Sequence, residues 1–74
     1  MYIDLEIIFN NTYGYIQFTY KVPNDYPGKI SVGDIVEVPF RNVIRHAIVL
    51  EIESKDTQLQ NIKSVIRKIG HIDN

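Results

Sequence analysis

Apolar residues in this chain recur at every second position rather than every third or fourth, and that period constrains the fold more than any other feature. In Ile3-Asp4-Leu5-Glu6-Ile7 apolar and acidic side chains alternate, as on a strand with one buried and one wet face. The alternation returns with Ile16, Phe18, Tyr20 and Val22 on one face and Gln17, Thr19 and Lys21 on the other. A third run, Asp34 to Phe40, follows Gly33 and sets Val36, Val38 and Phe40 in register. The fourth is the longest, with Ile44, His46, Ile48, Leu50 and Ile52 on one face and Ala47 and Val49 partly lining the other.

Turn chemistry separates these runs. Asn10-Asn11-Thr12 and Gly14 break the first from the second, and Pro23-Asn24-Asp25-Tyr26-Pro27-Gly28 is the densest turn signal in the chain. Pro39 cannot donate to a ladder and marks an edge or a strand end. After the polar connector Ser54-Lys55-Asp56-Thr57, the last segment carries two readings. Leu59, Ile62, Val65, Ile66 and Ile69 fit helical spacing, whereas Ile62 to Arg67 also reads as a β-branched strand. The expectation is an all-β fold: a small β-barrel-like domain of about five or six strands, with one short C-terminal helix over residues 59–69 as the open alternative.

With 74 residues, the chain has room for one domain, taken as residues 1–70 with 71–74 as an exit tail. A domain of this size buries only about 60% of the surface its unfolded chain exposes, so the core is thin. No stretch approaches the roughly 18 apolar residues of a membrane span, and the acidic MYIDLEIIF start lacks the basic region of a signal peptide. The location expected is therefore the cytoplasm, with no membrane partner. There is no cysteine, hence no disulfide, thiolate nucleophile or cysteine-based zinc site.

Charge is nearly balanced at −1 overall, which rules out a general field for polyanions. The halves differ, however. Residues 1–37 hold two lysines against five acids, a balance of −3, and residues 38–74 hold six bases against four acids, a balance of +2. A local basic site is compatible with that asymmetry.

The catalytic inventory is poor. His46 lies inside an apolar run and reads as a packed or edge-facing strand histidine, while His71 falls in the tail. Gly14, Gly28, Gly33 and Gly70 are isolated, so no phosphate loop exists. Asp4 and Glu6 read as the solvated face of an amphipathic strand. We expect no enzyme, no cofactor and no metal.

Binding is better supported. Tyr13, Tyr15, Phe18 and Tyr20 fall within eight residues, and aromatic faces stack on bases. Phe18 and Tyr20 also suit a core. Arg41 and Arg45 bracket the turn between the third and fourth runs, where guanidinium groups beside aromatics can reach phosphates.

The order of the pieces carries a resemblance. Phe18-Thr19-Tyr20-Lys21-Val22-Pro23 precedes Val32-Gly33-Asp34-Ile35-Val36-Glu37-Val38-Pro39-Phe40. A strand Ala47 to Ile52 and a closing Ile62-Lys63-Ser64-Val65-Ile66 follow. This series resembles the N-terminal 3′ DNA-binding domain of PriA, the replication-restart helicase or primosomal protein N′. That family's pattern runs F-D-Y-x-V-P, G-x-x-V-x-V-P-F-G, a G-V-V strand and L-K-x-V, and the likeness covers nearly the whole chain.

The resemblance implies capture of the 3′-terminal nucleotide of a nascent strand at a stalled fork, in a bacterial or phage-like setting. Its implied partners are single-stranded DNA with a free 3′ end, forked DNA, the primosome and single-strand-binding proteins. By the same resemblance Phe18 and Tyr20 match the aromatics flanking the pocket, and Lys63 matches the lysine of the closing strand. Three positions depart from the pattern. Thr19 stands where the family has an aspartate for the terminal sugar hydroxyl and base, and Arg41 and Ala47 replace glycines. The helicase motor and zinc-binding cysteines are absent, so the favoured reading is an excised domain, with a free-standing relative as the other. A protein-interaction adaptor is the competing function, supported by the acidic first half and by tyrosines that serve as interface anchors.

Overall fold

Strands that are apolar on one face need partners, and the computed structural model pairs them in one antiparallel sheet. The structure describes residues 1–8, 17–53 and 61–72. Its strands are β1 (Tyr2–Ile7), β2 (Gln17–Lys21), β3 (Asp34–Phe40), β4 (Val43–Glu53) and β5 (Arg67–His71), in the spatial order β2-β1-β4-β3-β5. The protein is all-β, and no helix occurs among the described residues. The aromatics Tyr13 and Tyr15, the turn at 10–12, Gly14, Ile16, the connector 54–57 and Leu59 lie outside the described residues.

The ambiguous last segment resolves into neither of its expected forms. Residues 61–66 pair with β2 through an isolated bridge between Lys21 and Ser64. There Lys21 N–H donates to the Lys63 carbonyl and Val65 N–H to the Lys21 carbonyl, both at 2.9 Å. The chain then crosses to β3, where Ile66 N–H donates to the Glu37 carbonyl at 2.8 Å, and β5 begins at Arg67. A single segment thus links β2, one edge of the sheet, to β3 and the opposite edge strand β5, and makes the sheet barrel-like. This switch of partners buries Val65 but leaves Ile62, Ile66 and Ile69 at least partly in water. His71, expected in an exit tail, is the last residue of β5.

The core is one cluster: Ile3, Leu5 and Ile7 of β1, Tyr20 and Val22, Val36 and Val38 of β3, Ala47 and Val49 of β4, with Ile30 and Val65 from the connections. β4 corrects the sequence reading. Its core face is the one carrying Ala47 and Val49, both buried, while Ile44 is 62% exposed. Register explains this, since Val36 sits opposite Ala47 and Leu5 opposite Val49. β4 is apolar on both faces, so counting large residues selected the wrong one. Small side chains suit the inside of a tightly curled sheet better. A bulge adds to the confusion: Asp4 pairs with Glu51 but Leu5 with Val49, which leaves Leu50 as the extra residue. Beyond a bulge the alternation changes face.

β3 and β4 meet in a two-residue hairpin, with Phe40 opposite Val43. Its central residues Arg41 and Asn42 have φ of 49° and 65°, the pair of positive values that a type I′ turn requires. Asparagine adopts this region with little strain, but arginine there costs about 1–2 kcal/mol. Pro39 fits its expected place at an edge, because β5 pairs with β3 only from Asp34 to Glu37.

A candidate nucleic-acid cleft

Curling of the sheet brings the end of β3 over β2, two strands that do not pair with each other. Phe18 and Phe40 meet there with ring centroids 5.2 Å apart and planes tilted by 55°, a geometry favoured for aromatic pairs. Tyr20 spans the same gap from beneath, donating its hydroxyl to the Pro39 carbonyl at 2.6 Å. Burial raises its phenol pKa, so the group stays a neutral donor. Tyr20 is 4% exposed and Phe18 38% exposed. One aromatic is therefore a core residue and the other is presented to solvent.

Beside this contact lies a cleft of about 370 Å³, lined by Phe18, Thr19 and Tyr20 of β2, Phe40 and Arg41 of the hairpin, and Asn61, Ile62 and Lys63 of the seam. That volume is in the range of small-ligand sites. The Arg41 guanidinium carbon stands 5.1 Å from the Phe40 ring centroid, within cation–π distance. Lys63 is held through its own backbone, since its carbonyl accepts from Lys21 N–H. Five of the six residues singled out from the sequence thus line one cleft. Arg45 does not. It lies within β4 opposite Val38, on the core-facing side and half-buried, rather than at the hairpin tip.

Thr19 points its chemistry away from the cleft, donating its hydroxyl to Asp4 Oδ1 at 2.6 Å. Asp4 in turn clusters with Glu51 and Glu53, their carboxylates within 4.8 Å of one another. The bond to Asp4 and its charge raise the pKa of Glu53. An acidic outer face therefore backs onto a cleft whose charged lining residues, Arg41 and Lys63, are both cationic. Asp4 is tied into this cluster, while Glu6 remains on the partly solvated outer face.

The sequence reading missed three lining residues. Phe40 was visible as the end of the Val-Pro-Phe motif, and its value as an aromatic wall follows from the curl alone. Asn61, with φ of 61°, carries no signal in the linear pattern, and Ile62 was read only as an apolar residue of the closing segment.

The other end of β3, about 20 Å away at the rise of a strand, has different chemistry. Asp34 is fully buried. Its Oδ2 accepts from Ser31 N–H at 2.7 Å. Its Oδ1 is 2.6 Å from His71 Nδ1 and 3.3 Å from Lys68 Nζ. Burial alone would raise the Asp34 pKa, but the Ser31 amide, His71 and Lys68 outweigh it and lower the pKa. Tyr26 joins this fastening by accepting the Lys68 amide at 2.8 Å. Close approach is possible because Gly33, at φ of 91°, has no Cβ; one would stand 3.2 Å from His71 Cε1. Nearby Glu37 accepts from Arg67 at 2.6 Å, and His46 is 3.6 Å away on its other side. His46 is thus a solvent-facing strand residue.

An open aromatic cleft with two cations on a small barrel-like sheet has the chemistry that nucleic-acid-binding modules use. The family model described as the PriA 3′ DNA-binding domain matches residues 6–73, and the chain belongs to that family. No curated protein matches it, and neither does any solved structure. As a member of this family the chain is a DNA-binding module and not an enzyme, which displaces the adaptor reading.

Proposed function

We propose that the cleft holds the 3′-terminal nucleotide of a DNA strand, and that the domain thereby marks nascent-strand ends at stalled forks for primosome assembly and replication restart. The supporting observation is the convergence of Phe18, Phe40, Arg41 and Lys63 on one cleft, although they are drawn from β2, the hairpin and the seam. Phe18 offers a stacking face worth about 1–3 kcal/mol per base. Arg41 and Lys63 reach the backbone, and Tyr20 fixes the floor. A site so small engages few phosphates, so a net charge of −1 is no obstacle. The setting proposed is the cytoplasm of a bacterial or phage-infected cell, with primosome and single-strand-binding proteins nearby.

The test compares linear single strands with circular ones of the same length and composition by competition in fluorescence anisotropy. End capture gives linear strands an advantage on the order of tenfold. It also gives a shallow salt dependence, with a slope near about −1.4 for two neutralised phosphates. Equal affinity for circles would reduce the module to a nonspecific strand binder.

A further inference from the structure

A strand captured by its end has to leave the cleft, and the two flanks of the cleft differ in charge. On the β1 side Thr19 is bonded to Asp4, and Asp4 stands with Glu51 and Glu53, their carboxylates within 4.8 Å of one another. A field of that sign repels phosphates. On the other side the closing segment that carries Lys63 runs on into β5, with Arg67 and Lys68. Arg67 is committed to Glu37 at 2.6 Å. Lys68 is five positions beyond Lys63, at most about 18 Å of chain. A stacked strand rising about 3.4 Å per nucleotide covers that distance in about five nucleotides.

At Lys68 a second groove opens, of about 450 Å³. Tyr26, Gly28 and Lys29 line it from the loop before β3, and Lys68 and Gly70 line it from β5. Its two sides are tied together, because the Tyr26 hydroxyl accepts the Lys68 amide at 2.8 Å. Lys68 is fixed further by Asp34, 3.3 Å from its Nζ. Gly28 holds a φ of 135°, a conformation that side chains rarely adopt. A Cβ at Gly70 would meet nothing within 4 Å, so the side along β5 is open. Lys29 is exposed, while the next residue, Ile30, is buried in the core. The backbone of Lys29 is thereby anchored and its ammonium faces solvent at the groove.

We propose that this groove is a second contact for the same DNA strand: from the cleft the strand follows the closing segment, and Lys29 holds a phosphate about five nucleotides from the 3′ end. The inference rests on the end-capture reading above and deepens it by giving the strand a path and a footprint. DNA is the occupant because the groove and the cleft are joined by one chain segment, and because lysines lie on this flank and carboxylates on the other. With the end fixed in the cleft, the second contact is intramolecular. A single exposed lysine then adds to affinity although it would bind little alone.

The experiment uses the 74-residue chain and labelled single strands of roughly three, eight and twelve nucleotides, a range that brackets the footprint. All carry a free 3′-hydroxyl, and a closed circle is the control. The middle length should bind on the order of fivefold tighter than the shortest, the scale of one good exposed ion pair, and the longest should bind no tighter than the middle one. The salt slope should steepen by about 0.7 over the first step, for the one phosphate added. Lys29→Ala, at an exposed loop position, should remove most of that gain and leave the shortest strand bound as before. Lys21→Ala is the charge control, since Lys21 pairs with Tyr2 and Tyr2 with Glu53, on the acidic flank; it should leave the gain intact. Equal losses from the two substitutions overturn the inference, because net charge alone would then explain them. So does affinity that stays flat over the first step, or that climbs as steeply over the second, and in these cases end capture stands. If the circle binds as tightly as the middle strand, end capture fails and the inference fails with it.

Discussion

The two ends of β3 handle charge in opposite ways. At its start Asp34 is buried and its oxygens are met by an amide, a histidine and a lysine. At its end Arg41 is exposed, strained and set over a ring, with Lys63 nearby across an open cleft. The first arrangement holds the closing strand β5 to the sheet, because Lys68 and His71 both belong to β5. The second fastens nothing. Charge that is matched inside the fold contributes to stability, whereas charge left facing an opening is available to a ligand. Substitutions at the two ends should therefore move different quantities.

The largest effect belongs to Asp34. Asp34→Ala removes the acceptor of the Ser31 amide and leaves Lys68 and His71 without their carboxylate, and a buried donor left unsatisfied costs about 1–3 kcal/mol. In a domain this small that is much of the total stability, so urea denaturation should show a large fall in midpoint. The pH dependence follows from the lowered pKa of Asp34. Its stabilisation is present above the unfolded value of 3.8 and is lost as the pH falls through the lower folded value. Wild-type stability should drop as the pH falls below about 4 by more than that of Asp34→Asn. Glu37, also lowered by its bond to Arg67, remains in both proteins and cancels in the difference. If the two proteins lose stability in parallel, the fastening at Asp34 is not what holds β5.

This contrast was only half legible in the sequence. The strands β1, β2 and β3 are plain in the alternation of Ile3 to Ile7, Phe18 to Val22 and Val36 to Phe40, because each has one apolar and one polar face. β4 was misread because it is apolar on both faces and interrupted at Leu50, and neither its register nor its bulge is written in hydropathy. The cleft was largely legible, since Phe18, Tyr20 and Lys63 could be matched to the family pattern by order, and Arg41 stood out as a guanidinium at the turn beside them. Its electrostatic character was not. That depends on Thr19 bonding to Asp4 across two strands and on Arg41 standing over Phe40. The Asp34 fastening was missed altogether: His71 seemed to lie past the last structured residue, and only the pairing of β5 with β3 brings it to a buried carboxylate.

At the cleft, the effects should appear in affinity. Phe18→Ala removes a stacking face that is already 38% exposed, so the fold loses only part of a side chain's burial. The loss of base stacking should weaken single-strand binding by about tenfold, at the lower end of the range for such contacts. Anisotropy titration together with a thermal melt separates the two quantities. A protein that melts far earlier yet binds as before would place Phe18 with the core, alongside Tyr20, rather than with the ligand.

The smallest effect on stability is the most informative. Arg41→Gly removes a side chain from a left-handed position, which relieves about 1–2 kcal/mol of strain. Against that gain stand the lost contact with Phe40 and the greater freedom of glycine in the unfolded chain, each about 0.5–1 kcal/mol. The terms nearly cancel, so stability should change by less than about 1 kcal/mol, while DNA affinity falls. At Asp34 a lost charge lowers stability. At Arg41 a lost charge should lower only binding, because the strained arginine is kept for what lies outside the fold. If Arg41→Gly instead destabilises the protein and leaves affinity intact, the guanidinium belongs to the hairpin, and the two ends of β3 use their charges alike.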